Sequence, residues 1–180
     1  KVGTLITNED GRAGYYLDPG TYWAKETGDE HGRFEDEYWM VDETIHKFEI
    51  KPHEDVSITF TNVQYGRLKI TKTVEGGGSV EGWQFKITDA EGTVLDGSPF
   101  ATDEDGIILT GNLLPGKYTV EEILPENSFY QCVNENPQTV IVKQGEIAGV
   151  SFTNALRSGK ITVDKIDTTG EHLAGATFLL

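Results

Sequence analysis

Gly66-Arg67-Leu68-Lys69-Ile70-Thr71-Lys72 returns 93 residues later as Gly159-Lys160-Ile161-Thr162-Val163-Asp164-Lys165. In both copies apolar and polar side chains alternate, the period-two mark of a half-buried strand. Leu68, Ile70 and Lys72 therefore share one face of that strand, and Arg67, Lys69 and Thr71 the other. The same alternation runs through Val56-Ser57-Ile58-Thr59-Phe60 and Trp83-Gln84-Phe85-Lys86-Ile87. Thr139-Val140-Ile141-Val142 does not alternate, but its β-branched side chains favour a strand too. No window offers a capped amphipathic helix. The predicted fold is all-β, with tandem immunoglobulin-like sandwiches.

Other segments repeat at a similar spacing. Thr7-Asn8-Glu9-Asp10-Gly11 matches Thr102-Asp103-Glu104-Asp105-Gly106, and Pro19-Gly20-Thr21-Tyr22 matches Pro115-Gly116-Lys117-Tyr118. Phe60-Thr61-Asn62 matches Phe152-Thr153-Asn154. The offsets run from 92 (Asn62 to Asn154) to 96 (Tyr22 to Tyr118), the length of one sandwich domain. The phase of the repeat divides the chain into residues 1–64, the later part of one unit, 65–155, a complete unit, and 156–180, the opening strands of a further unit. On this reading the chain begins and ends inside domains. With no signal peptide ahead of Lys1-Val2-Gly3, it reads as an interior piece of a longer protein. Phe178-Leu179-Leu180 followed by Lys1-Val2-Gly3 would make a continuous unit.

Composition narrows the function. Fifteen basic against thirty acidic residues give a net charge of −15, which leaves no basic footprint for nucleic acid. No apolar run approaches the roughly 20 residues of a membrane span. Cys132 is the only cysteine, so a disulfide within the chain is excluded and an extracellular domain would need another staple. His31, His46, His53 and His172 show no ligand spacing, and neither a metal nor a cofactor is expected. Asp103-Glu104-Asp105-Gly106 lacks the spacing of a calcium loop and reads as a hairpin turn. No Ser-His-Asp or Cys-His arrangement stands out, so no ordinary enzyme is expected.

Parity carries the chemistry. Continuing each apolar row to its end puts Lys72 with Leu68 and Ile70, Glu122 with Tyr118 and Val120, and Asn154 with Val150 and Phe152. The other copy repeats the set: Lys165 follows Ile161 and Val163, Glu26 follows Tyr22 and Ala24, and Asn62 follows Ile58 and Phe60. Charges in core phase should meet each other, because burying one alone is costly. A lysine removed from water tends to lose its proton and become an amine nucleophile. A carboxyl removed from water resists ionisation, so Glu122 can polarise the Asn154 carboxamide. Attack by Lys72 would expel ammonia and leave an amide between Nζ and Cγ, in a single turnover favoured by proximity. The plainer alternatives are a buried hydrogen-bonded ion pair or a lysine that snorkels to solvent.

The ordered motifs are G-x-(apolar)-x-(apolar)-x-Lys, T-x-E-D-G, L-x-P-G-x-Y-x-x-x-Glu and F-T-Asn. This set resembles the CnaB (SpaA-type) modules of Gram-positive adhesins and pilins across nearly the whole chain. The resemblance implies a self-generated isopeptide bond, Lys72–Asn154 assisted by Glu122. Glu26 and Asn62 in residues 1–64 lack the motif's lysine upstream, and Lys165 in 156–180 lacks its downstream partners. Within one chain that set is therefore expected to stay open, and Lys165 to reach Asn62 only between chains. Ile123-Leu124-Pro125-Glu126-Asn127 and Thr27-Gly28-Asp29-Glu30 stand where many members carry Ala-Pro-x-Gly-Tyr. The resemblance also implies an extracellular, cell-wall-anchored stalk whose partners are neighbouring domains of the same surface protein. In such a sandwich the first and last strands lie side by side. Two alternatives stand beside the stalk. One is head-to-tail self-assembly, with residues 156–180 completing the 1–64 unit of another chain. The other is an adhesin that contacts a host protein or glycan through the acidic, aromatic segment Arg33-Phe34-Glu35-Asp36-Glu37-Tyr38-Trp39-Met40.

Overall fold

A computed structural model describes residues 2–28 and 38–180. Twelve strands and no helix form among these residues. They are β1 (Gly20–Ala24), β2 (Trp39–Met40), β3 (His46–Ile50), β4 (Val63–Gln64), β5 (Arg67–Val74) and β6 (Gln84–Thr88). Then come β7 (Phe100–Ala101), β8 (Ile107–Leu109), β9 (Gly116–Ile123), β10 (Tyr130–Cys132), β11 (Gln138–Val142) and β12 (Ile147–Leu156).

Eight of these strands, β5 to β12, make two four-stranded sheets, in the orders β10-β12-β5-β8 and β11-β9-β6-β7. The first and last strands of the sandwich, β5 and β12, are neighbours and run parallel, in register from Ile147 opposite Arg67 to Asn154 opposite Val74. Alternation sends Leu68, Ile70, Phe85, Ile87, Val120 and Phe152 into the shared core, where each is fully shielded. The Phe85 and Phe152 rings meet there at 5.0 Å between centroids. The repeated Pro-Gly-x-Tyr has a structural cause: the Tyr118 hydroxyl donates to the Leu114 carbonyl at 2.8 Å and the Tyr22 hydroxyl to the Asp18 carbonyl at 2.9 Å. Each tyrosine thereby ties the entry turn to its own strand.

Gly66 opens the repeated strand motif because a side chain does not fit there. Its backbone exchanges two 2.9 Å hydrogen bonds with Leu113, and a Cβ would lie 2.6 Å from Val142 Cγ1 and closer still to the Lys143 carbonyl. Gly66→Ala should therefore destabilise the protein by about 1–3 kcal/mol, the usual cost of overpacking. Thermal unfolding checks this, and an unchanged midpoint would contradict it.

The flanking stretches differ from the sequence expectation. β1 pairs with β3, and β2 with β4, each as a two-stranded sheet. Residues 56–60 keep their alternation, with Ile58 and Phe60 half-buried, but they form no strand. Their counterpart β12 gains its ladder from β5, and no strand occupies that place beside residues 56–62 among the described residues. Residues 159–165 likewise form no strand, and Ile161 and Val163 stay exposed. The turn at Asp103–Gly106 is no hairpin, because β7 pairs with β6 and β8 with β5, so the chain crosses there between sheets. Asp103 Oδ1 accepts from the amides of Asp105 and Ile107, and Gly106 takes a φ of 75°. The Gly106 carbonyl then accepts the Lys72 amide at 2.7 Å, so this turn braces the lysine's backbone.

Candidate functional site

Lys72 on β5, Glu122 on β9 and Asn154 on β12 converge at one end of the core. They are 1%, 3% and 0% exposed, so water is excluded from all three. β5 and β12 supply the lysine and asparagine from adjacent strands, and β9 presents the glutamate from the facing sheet. One oxygen holds the group together: Glu122 Oε1 lies 2.9 Å from Lys72 Nζ and accepts a hydrogen bond from Asn154 Nδ2 at 3.0 Å. The lysine contact is a buried ion pair. Glu122 Oε2 and Asn154 Oδ1 are buried with no hydrogen-bond partner. Burial pushes the Lys72 ammonium below the ordinary lysine range, and the Glu122 contact opposes that shift.

Three neighbours were not singled out for the site by sequence reasoning. The Trp83 ring lies under Lys72 Nζ, 4.3 Å from its centroid, and meets the Tyr130 ring edge-on at 5.4 Å. Its indole N–H donates to the Ser79 carbonyl at 2.9 Å, which fixes the ring. The shared parity of Trp83, Phe85 and Ile87 was a signal that could have placed it. Cys132 stands opposite Asn154 in the β10–β12 register and packs against the core. Burial pushes its thiol up from the ordinary cysteine range. The third neighbour is Asn136, whose carboxamide contacts the Glu122 backbone.

Of the repeated set, two residues meet and one does not. Asn62 Nδ2 donates to Glu26 Oε1 at 2.8 Å, while Asn62 Oδ1 accepts the Asp42 amide at 2.9 Å. Glu26 Oε2 is buried with no hydrogen-bond partner. Lys165 is exposed, with Nζ donating to its neighbour's carbonyl at Ile166. Residues 33–37 of the aromatic segment, and His31, lie outside the described residues. Trp39 and Met40 pair with β4, and Tyr38 is exposed. Among the described residues no His, Cys, Asp and Glu side chains gather as a metal-ligand set, and no helix is long and apolar enough to cross a membrane.

The span that builds the sandwich also decides its family. Residues 66–156, just over half of the chain, match the family model described as SpaA, a prealbumin-like fold domain. The chain belongs to the SpaA family. Three solved structures illustrate its likenesses. One is the TIE protein of Bacillus anthracis, at 26% identity and a TM-score of 0.46, over 84% of this chain and 28% of that one. Another is a minor pilin of Streptococcus agalactiae, at 14% identity and 0.48, over 92% and 93%. The third is the shaft pilin SpaA of Lactobacillus rhamnosus GG, at 14% and 0.42, over 88% and 71%. The chain thus spans less than a third of the TIE protein's length. No curated protein sequence matches it.

Proposed function

We propose that this chain is a structural module of a Gram-positive cell-surface stalk or pilus, and that its SpaA domain cross-links itself through a Lys72–Asn154 isopeptide bond. The observation that supports this most is the position of Glu122 Oε1, in contact with both the attacking and the leaving nitrogen. Glu122 first takes a proton from the Lys72 ammonium across the 2.9 Å contact, freeing a lone pair on Nζ. Nζ then attacks Asn154 Cγ, forming the C–N bond and moving charge onto Oδ1. Glu122 returns a proton to Nδ2, the Cγ–Nδ2 bond breaks, and ammonia leaves. The second Nζ proton passes to Glu122. Held geometry replaces a catalyst's turnover, so the domain acts once on itself and is no enzyme in the ordinary sense. The dry site suits this step, because a buried Lys–Glu pair contributes little stability by itself.

The Glu26–Asn62 pair supports a second reading. It holds the acid and the amide of the same constellation, with Glu26 Oε2 left over. A lysine delivered on an incoming strand, such as Lys165 of another chain, would complete it and link modules head to tail. Intact mass spectrometry under denaturing conditions tests both readings. We expect a monomer lighter than its residue sum by about 17 Da for each ammonia expelled. A monomer at full mass sinks the first reading, and the absence of any covalent oligomer sinks the second.

A further inference from the structure

We infer that Asn136 is a positioning residue for the cross-linking reaction, holding Glu122 in place through its backbone. The β9–β11 ladder has its last registered pair at Val120 and Gln138. Continuing that register two residues further sets Glu122 against residue 136, and there the asparagine side chain replaces the strand. Asn136 Oδ1 accepts the Glu122 amide at 2.8 Å, and Asn136 Nδ2 donates to the Glu122 carbonyl at 3.0 Å. A carboxamide has the donor and acceptor of a peptide group, so it extends the ladder by one rung at this residue. On the other side Glu122 is registered against Phe85 of β6. The glutamate is thus fixed from both edges, although it lies one residue from the end of β9. Strand ends fray, and a carboxylate that must reach two nitrogens tolerates little displacement.

The repeated unit supplies an internal comparison. Residue 44 stands to Glu26 as residue 136 stands to Glu122, since His46 pairs with Ala24 as Gln138 pairs with Val120. That residue is Thr44, whose amide bonds to Asp42 instead. The clamp is therefore specific to the unit in which all three reactive side chains meet.

The inference rests on the proposed Lys72–Asn154 bond and is tested on the rate of its formation. Freshly translated full chain is quenched in denaturant at intervals, and the fraction that has lost ammonia is read by mass. Asn136→Ala should condense roughly tenfold or more slowly than the parent. Gly66→Ala, a packing defect away from the carboxylate, serves as the control for lost stability. It should condense at close to the parent rate once the folded fraction is matched. Parental kinetics in Asn136→Ala, or equal slowing in both variants, overturns the positioning role alone. A parent that never loses ammonia overturns the cross-link itself, and with it this inference.

Discussion

Glu122→Gln should leave the protein at the full mass of its residues and lower the midpoint of thermal unfolding by roughly 20–30 °C. The substitution preserves shape and volume, so the core around Phe85 and Phe152 keeps its packing. It removes the group that can take a proton from Lys72 Nζ and return one to Asn154 Nδ2. Without the bond, the unfolded chain regains the freedom of a loop of about 82 residues, from position 72 to 154. By the entropy of loop closure that freedom is worth roughly 4–5 kcal/mol. Each kcal/mol moves the midpoint by about 4–8 °C in a domain of this size. The variant also keeps Lys72 buried without its counter-charge, which adds to the loss. Reductant should change neither protein, since Cys132 has no cysteine to pair with. A variant that still lacks the mass of one ammonia, or melts with the parent, would show that Glu122 does not carry the chemistry.

Parity made Lys72, Glu122 and Asn154 legible, because which face a strand residue takes depends only on counting along its own strand. Leu68, Ile70, Tyr118, Val120, Val150 and Phe152 fix the phase, and the polar residue that continues each row is carried into the same core. Whether a segment becomes a strand is less local. Residues 56–60 and 147–156 have similar patterns, yet only the second has β5 beside it to complete its hydrogen bonds. The Asp103 turn departs from the expected hairpin for the same reason: its residues specify a tight reversal, while the sheets that receive β7 and β8 are decided by distant strands. Asn136 and Trp83 act through contacts with residues 14 and 11 positions away, and no short-range pattern encodes those.

Pulling the full chain by its two ends should produce no lengthening step from the SpaA domain in the parent, and a step on the order of 280 Å in Glu122→Gln. The topology sets this contrast. Tension enters at the start of β5 and leaves at the end of β12, which lie side by side and parallel. The two strands are therefore loaded in shear along eight registered pairs, Arg67 with Ile147 through Val74 with Asn154. In the unlinked variant only non-covalent contacts resist, namely this ladder, the pairs of β5 with β8 and of β12 with β10, and the packed core. Their failure releases the residues between 72 and 154 as extended chain at about 3.4 Å each. A Lys72–Asn154 amide would reroute the force from β5 directly into β12 just before the chain exits at Leu156. The residues between would then bear no load, and the sheet could lose its hydrogen bonds without the domain extending. A force trace separates the two cases in one molecule. A parent that extends by the full length of this loop would mean that no covalent bond joins its first and last strands.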